Sequence, residues 1–325
     1  MIDFTPSPVA FHLGPVAVAW YGIGYAVGLA ATGWLVGREA RRLRLDADVL
    51  WNGFVLVAIA ALVGGRLYHV IDQFDRYRDN LINIILPPYS GLGVYGGIFL
   101  GTVAGVLYAR RLRQPVWRWA DAIAPGLFLM QAIARWGNFF NQELYGPPTT
   151  LPWAIRIECQ NRIPAYPCDL FPFETTHFHP LFLYESLSGV IGMLALLWIG
   201  RRFADRLRAG DLFLGFLIWY SVVRFGLEAL RTDNWTFFGI PVAQIVSAGT
   251  ILVAVTILAY RHRPGVVREP WPPADTEDEW DDEGVWDDEG ADRDVSSIGR
   301  DAGRGPMSER SGGGRGSTAS SSPPS

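Results

Sequence analysis

The sequence predicts an all-α polytopic membrane protein with about seven transmembrane helices. Half of the residues are hydrophobic and only 18% are charged. The apolar residues are concentrated in runs close to the roughly 20 residues that a helix needs to cross a bilayer. Arginine clusters separate these runs at alternate ends, a pattern typical of a chain that crosses a membrane repeatedly.

Seven candidate spans can be placed along the chain. Glycines within them are compatible with helices in lipid, where they are commoner than in soluble helices. Residues 1–14 lack the basic segment that begins a cleaved signal peptide, so we expect them to be a short non-cytoplasmic lead-in. The approximate bounds of the spans are 15–36, 50–71, 91–109, 118–134, 180–200, 211–230 and 240–260.

The orientation follows from the arginines, since the chain contains no lysine. Four clusters fall at alternate ends of the spans, and the positive-inside rule assigns all of them to the cytoplasm. The N-terminus is then outside and the C-terminus cytoplasmic, which requires an odd number of crossings and agrees with seven. The clusters are Arg38, Arg41, Arg42 and Arg44; Arg110, Arg111, Arg113 and Arg118; Arg201, Arg202, Arg206 and Arg208; and Arg261 and Arg263.

The formal net charge of −4 combines two different regions. Residues 271–325 carry 14 acidic and 5 basic residues, whereas the remainder carries 18 acidic and 23 basic residues. The acidic segment 279–284 is nearly repeated at 285–290, and a Gly/Ser/Arg-rich stretch follows. We therefore predict a membrane domain at 1–264 and a disordered cytoplasmic tail at 265–325, solvated rather than partner-binding.

The connection between the fourth and fifth spans, 135–179, is long and rich in proline and aromatic residues. It predicts an ordered extracytoplasmic arm. It also contains both cysteines, Cys159 and Cys168. Thiols outside the cytoplasm are free to oxidise, and eight intervening residues make a loop that can close, so we predict a disulfide between them.

The most polar stretch near a predicted span lies at the start of this connection. It contains a cation, Arg135, two carboxamides, Asn138 and Asn141, and an anion, Glu143, with Gly146 at its end. An ionisable side chain at the centre of a membrane-spanning helix costs roughly 2.5–3.5 kcal/mol on insertion scales, so such groups usually face a polar cavity. Arg135 alone could equally be a helix end that meets lipid headgroups, but the whole cluster favours a site.

Other polar residues cluster at the outward ends of four further spans, which suggests one polar site near the outer leaflet. In the sixth span the spacing of four, four and three residues places the polar groups on one helix face. Arg224 and Glu228 could instead form an internal ion pair that merely holds helices together. The polar residues are Arg66, His69 and Asp72; His179, Tyr184 and Glu185; Tyr220, Arg224, Glu228 and Arg231; and Gln244 and Ser247.

Two further patterns are weaker evidence for a functional site. The glycines around Tyr95 in the third span are typical of close helix packing. His177 and His179 have a spacing that a metal site could use, but no cysteine or carboxylate cluster supports one. The sequence indicates no metal, no cofactor and no nucleic-acid partner.

Arginines near a low-dielectric outer-leaflet cavity are good receptors for a lipid phosphate, through forked charge-assisted hydrogen bonds. Neighbouring carboxylates could orient a substrate or take a proton. The chain has no nucleophile elbow, phosphate-binding Walker loop or paired-aspartate metal motif. The pattern therefore suggests a phospholipid-handling transferase whose nucleophile comes from the substrate.

The stretch that ends at Gly146 resembles the signature of bacterial prolipoprotein diacylglyceryl transferases, Gly-Arg-x-Gly-Asn-Phe-x-Asn-x-Glu-x-x-Gly. The similarity extends over roughly residues 15–262 and excludes the tail. Signature matches are Arg135, Gly137, Asn138, Phe139, Asn141, Glu143 and Gly146. Other matching positions are Trp20-Tyr21-Gly22, Tyr25, Gly64-Gly65-Arg66, His179-Pro180, Leu183-Tyr184-Glu185, Tyr220, Arg224, Glu228, Arg231, Gln244 and Ser247.

The resemblance implies a seven-span enzyme of the bacterial inner membrane with its active site toward the outer face. It implies transfer of a diacylglyceryl group from phosphatidylglycerol to the thiol of the lipobox cysteine in a preprolipoprotein signal peptide. A thioether forms and glycerol phosphate leaves. The expected partners are therefore phosphatidylglycerol, these signal peptides and membrane lipids, with no cofactor.

We expect Arg135 and Arg224 to hold the lipid phosphate, and Glu228 to orient Arg224. Asn138 and Glu143 would fix the glycerol headgroup. The expected phosphatidylglycerol-binding residues further include Asn141, Gly146, Arg66, Tyr220 and Arg231.

The chain departs from the family pattern in the third span, which commonly reads His-Gly-Gly in the family and has Tyr95 here. That histidine has been a candidate general base, so the thiol proton must be taken in another way. Tyr25, Tyr95 or a carboxylate are the alternatives. Ala134, in place of the first glycine of the signature, is a minor departure.

Two rival functions come from other classes. An outward-facing transporter of anionic lipid or solute predicts polar groups that continue to the cytoplasmic ends of the spans, where the sequence shows only the loop arginines. A non-enzymatic scaffold gives no reason for the clustered signature.

Overall fold

The computed structural model describes residues 1–78, 81–84, 93–232 and 234–265. These residues are mostly helical and include seven α-helices of 18 to 26 residues. The predicted tail lies outside them beyond residue 265. The helices are α1 (Trp20–Arg42), α2 (Ala47–Asp72), α3 (Val94–Arg111), α4 (Val116–Phe140), α5 (Leu181–Arg202), α6 (Asp211–Glu228) and α7 (Val242–Arg261).

Three of these helices, α2, α5 and α7, are long and apolar enough to cross a membrane. Their surfaces carry many exposed large hydrophobic side chains, for example Ile71 at 69%, Trp198 at 60% and Leu252 at 69% exposure. In water such surfaces would be unfavourable, whereas lipid covers them without penalty. The chain is a membrane protein.

The fold is not purely helical, because two short antiparallel hairpins precede α1 and α7. Strands β1 (Val9–Leu13) and β2 (Val16–Ala19) pair directly before α1. The apolar pattern predicted that the first helix begins near residue 15. In the structure it begins at Trp20, directly after the hairpin. The second hairpin joins β3 (Thr236–Phe237) to β4 (Ile240–Pro241).

The α4 helix lies at the centre of the larger group of helices, in contact with α1, α5 and α6. The α7 helix packs on α6. A core of buried residues joins α1, α4, α5 and α6, and Phe128 of α4 is 1% exposed within it. Near the start of α5 the Ser186 hydroxyl donates to the Ala132 carbonyl at 2.8 Å. This packing fixes the relative positions of α4, α5 and α6.

The α2 and α3 helices pack mainly on each other, with fewer contacts to α1 and α4. A Cβ added at Gly64 would lie 2.3 Å from the carbonyl oxygen of Gly96, and one added at Gly96 would lie 2.2 Å from that of Gly64. The two backbones are therefore in direct contact, which no larger residue permits. The prediction that glycines of the third span serve helix packing is confirmed at Gly96.

The connection between α4 and α5 is ordered but largely irregular. Its own core includes Tyr145, Ile157, Tyr166 and Phe178. The predicted disulfide between Cys159 and Cys168 is present.

The N-terminal residues are bound to this connection. Ile2 pairs with Ile155, and the Asp3 carboxylate contacts Arg156 at 2.7 Å and His177 at 2.8 Å. The His177 hydrogen bond lowers the pKa of Asp3 below its ordinary value. We call the connection, residues 141–180, the insertion.

Polar groups are also buried at the ends of the helices opposite to the insertion. Glu39 and Asp121 are each 1% exposed, and Asp211 is 6% exposed. The expectation that only loop arginines occupy these ends is therefore wrong. Sequence inspection missed these carboxylates because nothing in the local pattern distinguishes a buried acid from one at a solvated helix end.

Candidate active site

The candidate site begins where α4 ends. The backbone reverses after Asn141 through positive φ angles at Gln142 (56°) and Leu144 (56°). The Glu143 amide consequently donates to the Asn138 carbonyl at 2.8 Å. The Glu143 carboxylate then accepts one hydrogen bond from the Asn138 amide and one from the Asn141 amide, each at 3.1 Å. The two carboxamides of the signature thus hold both oxygens of its acid.

Gln142 stabilises this reversal, although no sequence pattern assigned it a role. Its side chain is 3% exposed. Its amide donates to the Pro6 carbonyl at 3.1 Å and accepts from the Glu158 backbone amide at 2.8 Å. Both ends of the side-chain amide are satisfied, as a buried polar group requires. Gln142 therefore ties the signature turn to the N-terminal segment and to the insertion.

Glu185 of α5 lies between two arginines from different helices. Its Oε2 is 2.6 Å from Nε of Arg135 on α4, and its Oε1 is 3.9 Å from Nη1 of Arg224 on α6. The second nitrogen of Arg224, Nη2, is 2.8 Å from Oε2 of Glu228. Both carboxylates are 4% exposed, whereas the Arg135 and Arg224 side chains are 29% and 21% exposed. We call these four residues the outer charge cluster.

The arginines of the outer charge cluster are not saturated. Among the described residues, Nη1 of Arg224 is buried and has no hydrogen-bond partner. The Nε of Arg135 is close to Glu185 but is not aligned for a hydrogen bond, and its Nη1 makes only a long bond of 3.4 Å to Asn138. Buried donors without partners are costly, so the cluster favours an additional anionic acceptor.

A small cleft between α4, α5 and α6, too narrow in this structure to hold a water molecule, borders the outer charge cluster. Its lining includes Gln131, Ser188 and Tyr220 beside Glu185 and Arg224. Tyr220 thus lies beside the outer charge cluster, and its role in substrate binding stays a prediction. Gln131 and Ser188 were missed, since a single uncharged polar residue in a span gives no distinctive signal.

Arg231 also belongs to this region. It follows α6 and interacts electrostatically with Arg224, Glu228, Glu185 and Arg135. Asn234 closes the end of α6 by donating to the carbonyls of Glu228 at 3.2 Å and Arg231 at 2.8 Å. The third cation predicted for the site is therefore close to the first two.

Tyr21 joins α1 to the signature. A Cβ added at Gly137 would lie 2.4 Å from Cδ2 of Tyr21, so the tyrosine ring occupies the space that only glycine leaves open. Tyr25 packs on Tyr21 with ring centroids 5.0 Å apart. Tyr25 thus lies close to the signature through Tyr21, which the sequence identified only as part of a matching motif.

Gly146 is located where the insertion meets α5 and the end of α6, and it does not line the cleft beside the outer charge cluster. Its amide donates to the His179 carbonyl at 2.8 Å. A Cβ added there would lie 3.0 Å from the Leu230 carbonyl and 3.1 Å from the His179 Cβ. The glycine lets the insertion, the start of α5 and the end of α6 meet, so its contacts indicate a positioning role.

Comparison with known proteins now bears on this arrangement. A family model described as prolipoprotein diacylglyceryl transferase matches residues 8–260. The chain belongs to this family.

Relatives named phosphatidylglycerol–prolipoprotein diacylglyceryl transferase support the same assignment. One from Bacillus cytotoxicus is 35% identical over 257 residues, covering 79% of this chain and 93% of the relative. One from Chloroflexus aggregans is 37% identical over 265 residues, covering 77% and 87%. One from Synechococcus elongatus is 37% identical over 276 residues, covering 82% and 93%.

Two residues that the family resemblance assigned to the site lie on the α2–α3 pair. Arg66 donates through Nε to the Ile84 carbonyl at 3.1 Å, and its guanidinium lies 5.2 Å from the ring of Tyr77. Tyr95 is 75% exposed, with its ring 6.0 Å from that of Tyr68. These contacts do not link either residue to the outer charge cluster, and their roles in the transferase site stay predictions.

Proposed function

We propose that this protein is a phosphatidylglycerol–prolipoprotein diacylglyceryl transferase. It moves the diacylglyceryl group of phosphatidylglycerol to the thiol of the lipobox cysteine in a preprolipoprotein. The observation that carries the proposal is the outer charge cluster: arginines from α4 and α6 share one buried carboxylate, Glu185, and retain unused donors. Membership of the family supports the same activity.

We further propose that all seven helices cross the cytoplasmic membrane, with the N-terminus and the insertion outside and the C-terminus inside. The arginine clusters support this orientation. The disulfide supports it independently, because disulfides persist in oxidising compartments. Residues 1–264 then form the membrane domain with its site toward the outer face, and the tail that follows lies on the cytoplasmic side.

In this mechanism the lipid phosphate is bound by Arg135 and Arg224. The phosphate oxygens accept the donors that the protein leaves unpaired, and Glu185 holds the two guanidinium groups at one place. Charge develops on the phosphate as the carbon–oxygen bond to it breaks, so fixed cations stabilise the transition state. Glu228 orients Arg224 through the 2.8 Å contact.

The nucleophile is the substrate thiol, which has an ordinary pKa near 8.5 and reacts as the thiolate. The sulfur forms a bond to the carbon of the diacylglyceryl group that is joined to the phosphate oxygen. The bond from that carbon to the oxygen breaks, and the oxygen leaves with the electron pair as part of glycerol phosphate. The thiol proton passes to a base before attack. The candidate bases are the carboxylate of Glu143 within the signature, Tyr25, which packs on Tyr21 beside the signature, and Tyr95 on α3.

Glu143 is suited to bind the glycerol headgroup of the lipid. Its two oxygens accept hydrogen bonds from amide donors and have further lone pairs that can accept from hydroxyl groups. Asn138, which holds one of these oxygens, lies about one helical turn beyond Arg135. A headgroup with its phosphate at Arg135 would therefore present its terminal hydroxyls to Glu143.

A transfer assay with purified protein, labelled phosphatidylglycerol and a synthetic lipobox peptide tests the proposal. We expect label on the peptide, none on a thiol-blocked peptide, and a loss of about 10²–10³-fold for Arg135→Ala, the scale for removing one transition-state donor. Arg111→Ala, which removes an exposed arginine at the end of α3, is the matched control and should retain transfer. Near-normal turnover of Arg135→Ala would refute the assignment, and lipid binding without any transfer would favour the transporter.

A further inference from the structure

The hairpin between α6 and α7 has an apolar tip that no described part of the protein covers. Trp235 is 82% exposed, Phe237 60%, Phe238 90% and Ile240 51%. The rings of Phe237 and Phe238 lie 4.5 Å apart, so the two form one continuous surface. Unlike the exposed side chains of the helices, Trp235, Phe237 and Phe238 lie between the predicted spans 211–230 and 240–260.

The tip retains an aromatic residue where the backbone disfavours it. Phe237 pairs with Ile240, which leaves Phe238 and Gly239 as a two-residue turn with φ angles of 49° and 79°. Turns with positive φ at both positions prefer Asn, Asp or Gly. A phenylalanine in the left-handed region is strained, and its ring makes no buried contact that would offset the strain. Packing within the described residues therefore does not offset the strain at Phe238.

The distance from the tip to α7 limits what that interaction can be. The α7 helix begins at Val242, whose amide donates to the Trp235 carbonyl at 2.9 Å. Only Ile240 and Pro241 separate the turn from the helix. Phe238 is four positions before Val242, so at ~3.3 Å per residue it lies within about 13 Å of the first turn of α7. The headgroup layer on each side of the hydrocarbon is roughly 5–8 Å thick. A tip this close to the end of a membrane-spanning helix lies in or beside that layer.

We propose that Trp235, Phe237 and Phe238 form an interfacial anchor that inserts into the adjacent leaflet of the bilayer. Aromatic side chains prefer this depth, since their rings enter the apolar region and the Trp235 N–H can reach water or headgroups. The anchor also fixes the end of α6, because Asn234, next to Trp235, closes that helix end. It thereby holds Arg231 at the level of the lipid phosphates.

The proposal requires only that α7 begins at a membrane surface and does not depend on the transfer reaction. A spin label measures the depth directly. Both native cysteines are joined in the disulfide, so Phe238→Cys can be labelled selectively with a nitroxide. The matched control is Thr175→Cys, an exposed position in the insertion.

The labelled proteins are compared in vesicles of phosphatidylethanolamine and phosphatidylglycerol, with oxygen as the apolar relaxing agent and a nickel chelate as the polar one. We expect the label at 238 to be more accessible to oxygen and less accessible to nickel than the label at 175. Greater accessibility to nickel would overturn the anchor. Protection from both agents would also overturn it, since the tip would then be covered by protein.

A second pair of proteins tests whether the aromatic residues hold the hairpin in the membrane. Ile240→Cys is labelled in the otherwise native chain and in the Phe238→Asp variant. A carboxylate at the tip disfavours insertion, so we expect a shift of the label toward nickel accessibility. Unchanged accessibility would show that Phe238 does not anchor the hairpin.

Discussion

The protein buries charge at both ends of its helix bundle, but the two sites are completed differently. At the end opposite the insertion, Glu39 is 1% exposed and each of its oxygens contacts an arginine, Arg42 at 2.7 Å and Arg201. These arginines also donate to the carbonyls of Gly200 at 3.3 Å and Leu197 at 2.8 Å. We call these three charged residues the inner charge cluster.

The outer charge cluster uses the same residue types without closing. One contact of Glu185, to Arg224, is 3.9 Å long, and Nη1 of that arginine has no hydrogen-bond partner among the described residues. A cleft lies beside it, whereas the inner charge cluster packs against the apolar core. Burial and charge alone therefore do not distinguish a binding site from a structural ion pair. Hydrogen-bond donors that have no partner and lie beside a cleft distinguish the binding site from the structural ion pair.

Asp121 belongs with the structural group. It accepts hydrogen bonds from the amides of Gly210 at 2.6 Å and Phe213 at 3.0 Å, and so caps the start of α6 from α4. Its carboxylate is fully used within the protein. The buried polar groups at this end therefore give the transporter hypothesis no support, because they do not open a path.

The comparison predicts its largest effect for Glu185→Gln. The neutral amide removes the charge that holds Arg135 and Arg224 together, so we expect transfer to fall by about 10²-fold or more, as for the loss of a transition-state group. The thermal midpoint in detergent should change much less. Parallel initial-rate and unfolding measurements check this. Equal loss of stability and transfer would mean that the outer charge cluster is structural too.

The same substitution at the inner charge cluster should give the opposite result. Glu39→Gln leaves Arg42 and Arg201 without their shared anion. Because these arginines are 23% and 40% exposed, we expect a loss of unfolding free energy below the roughly 3–5 kcal/mol of a fully buried pair. Transfer per folded molecule should be nearly unchanged. Denaturant unfolding in detergent measures the first quantity, and rates normalised to folded protein measure the second. A stable variant with lost transfer would contradict the structural role.

The disulfide sharpens the comparison, since only the outer end depends on the insertion. The bond closes a loop with a sequence separation of 9. For a loop of this length, its removal costs about 2–3 kcal/mol in the chain-entropy estimate. We expect Cys159→Ala with Cys168→Ala to loosen the insertion and raise the KM for phosphatidylglycerol before kcat changes. Proteolysis of the insertion and substrate titrations would show this, and unchanged values for both would contradict it.

The smallest effect is expected at Tyr95, which lies on the α2–α3 pair. Loss of a general base costs about 10²–10⁴-fold, whereas we expect Tyr95→Phe to reduce transfer by less than tenfold. Its exposed ring contacts Tyr68 rather than the outer charge cluster. The pH–rate profile of the variant checks this. A profile that loses its rise with increasing pH would instead identify Tyr95 as the base.

The sequence determined the positions of the helices and the disulfide. Apolar runs of near-constant length are a local property, so each predicted span overlaps a helix. The first helix begins later than predicted because residues 16–19 form a strand that pairs with residues 9–13. The signature also predicted the local cluster of Asn138, Asn141 and Glu143, because these residues share one helix end. Family membership followed from the same residues.

Only the tertiary structure decided which charges meet. The pairing of Arg135 with Glu185, 50 positions apart in the chain, depends on the packing of α4 against α5. The same packing separates the open outer charge cluster from the closed one around Glu39, a distinction that no sequence pattern contains. Which donors stay unsatisfied depends on side-chain geometry across three helices, because a hydrogen bond requires both distance and alignment.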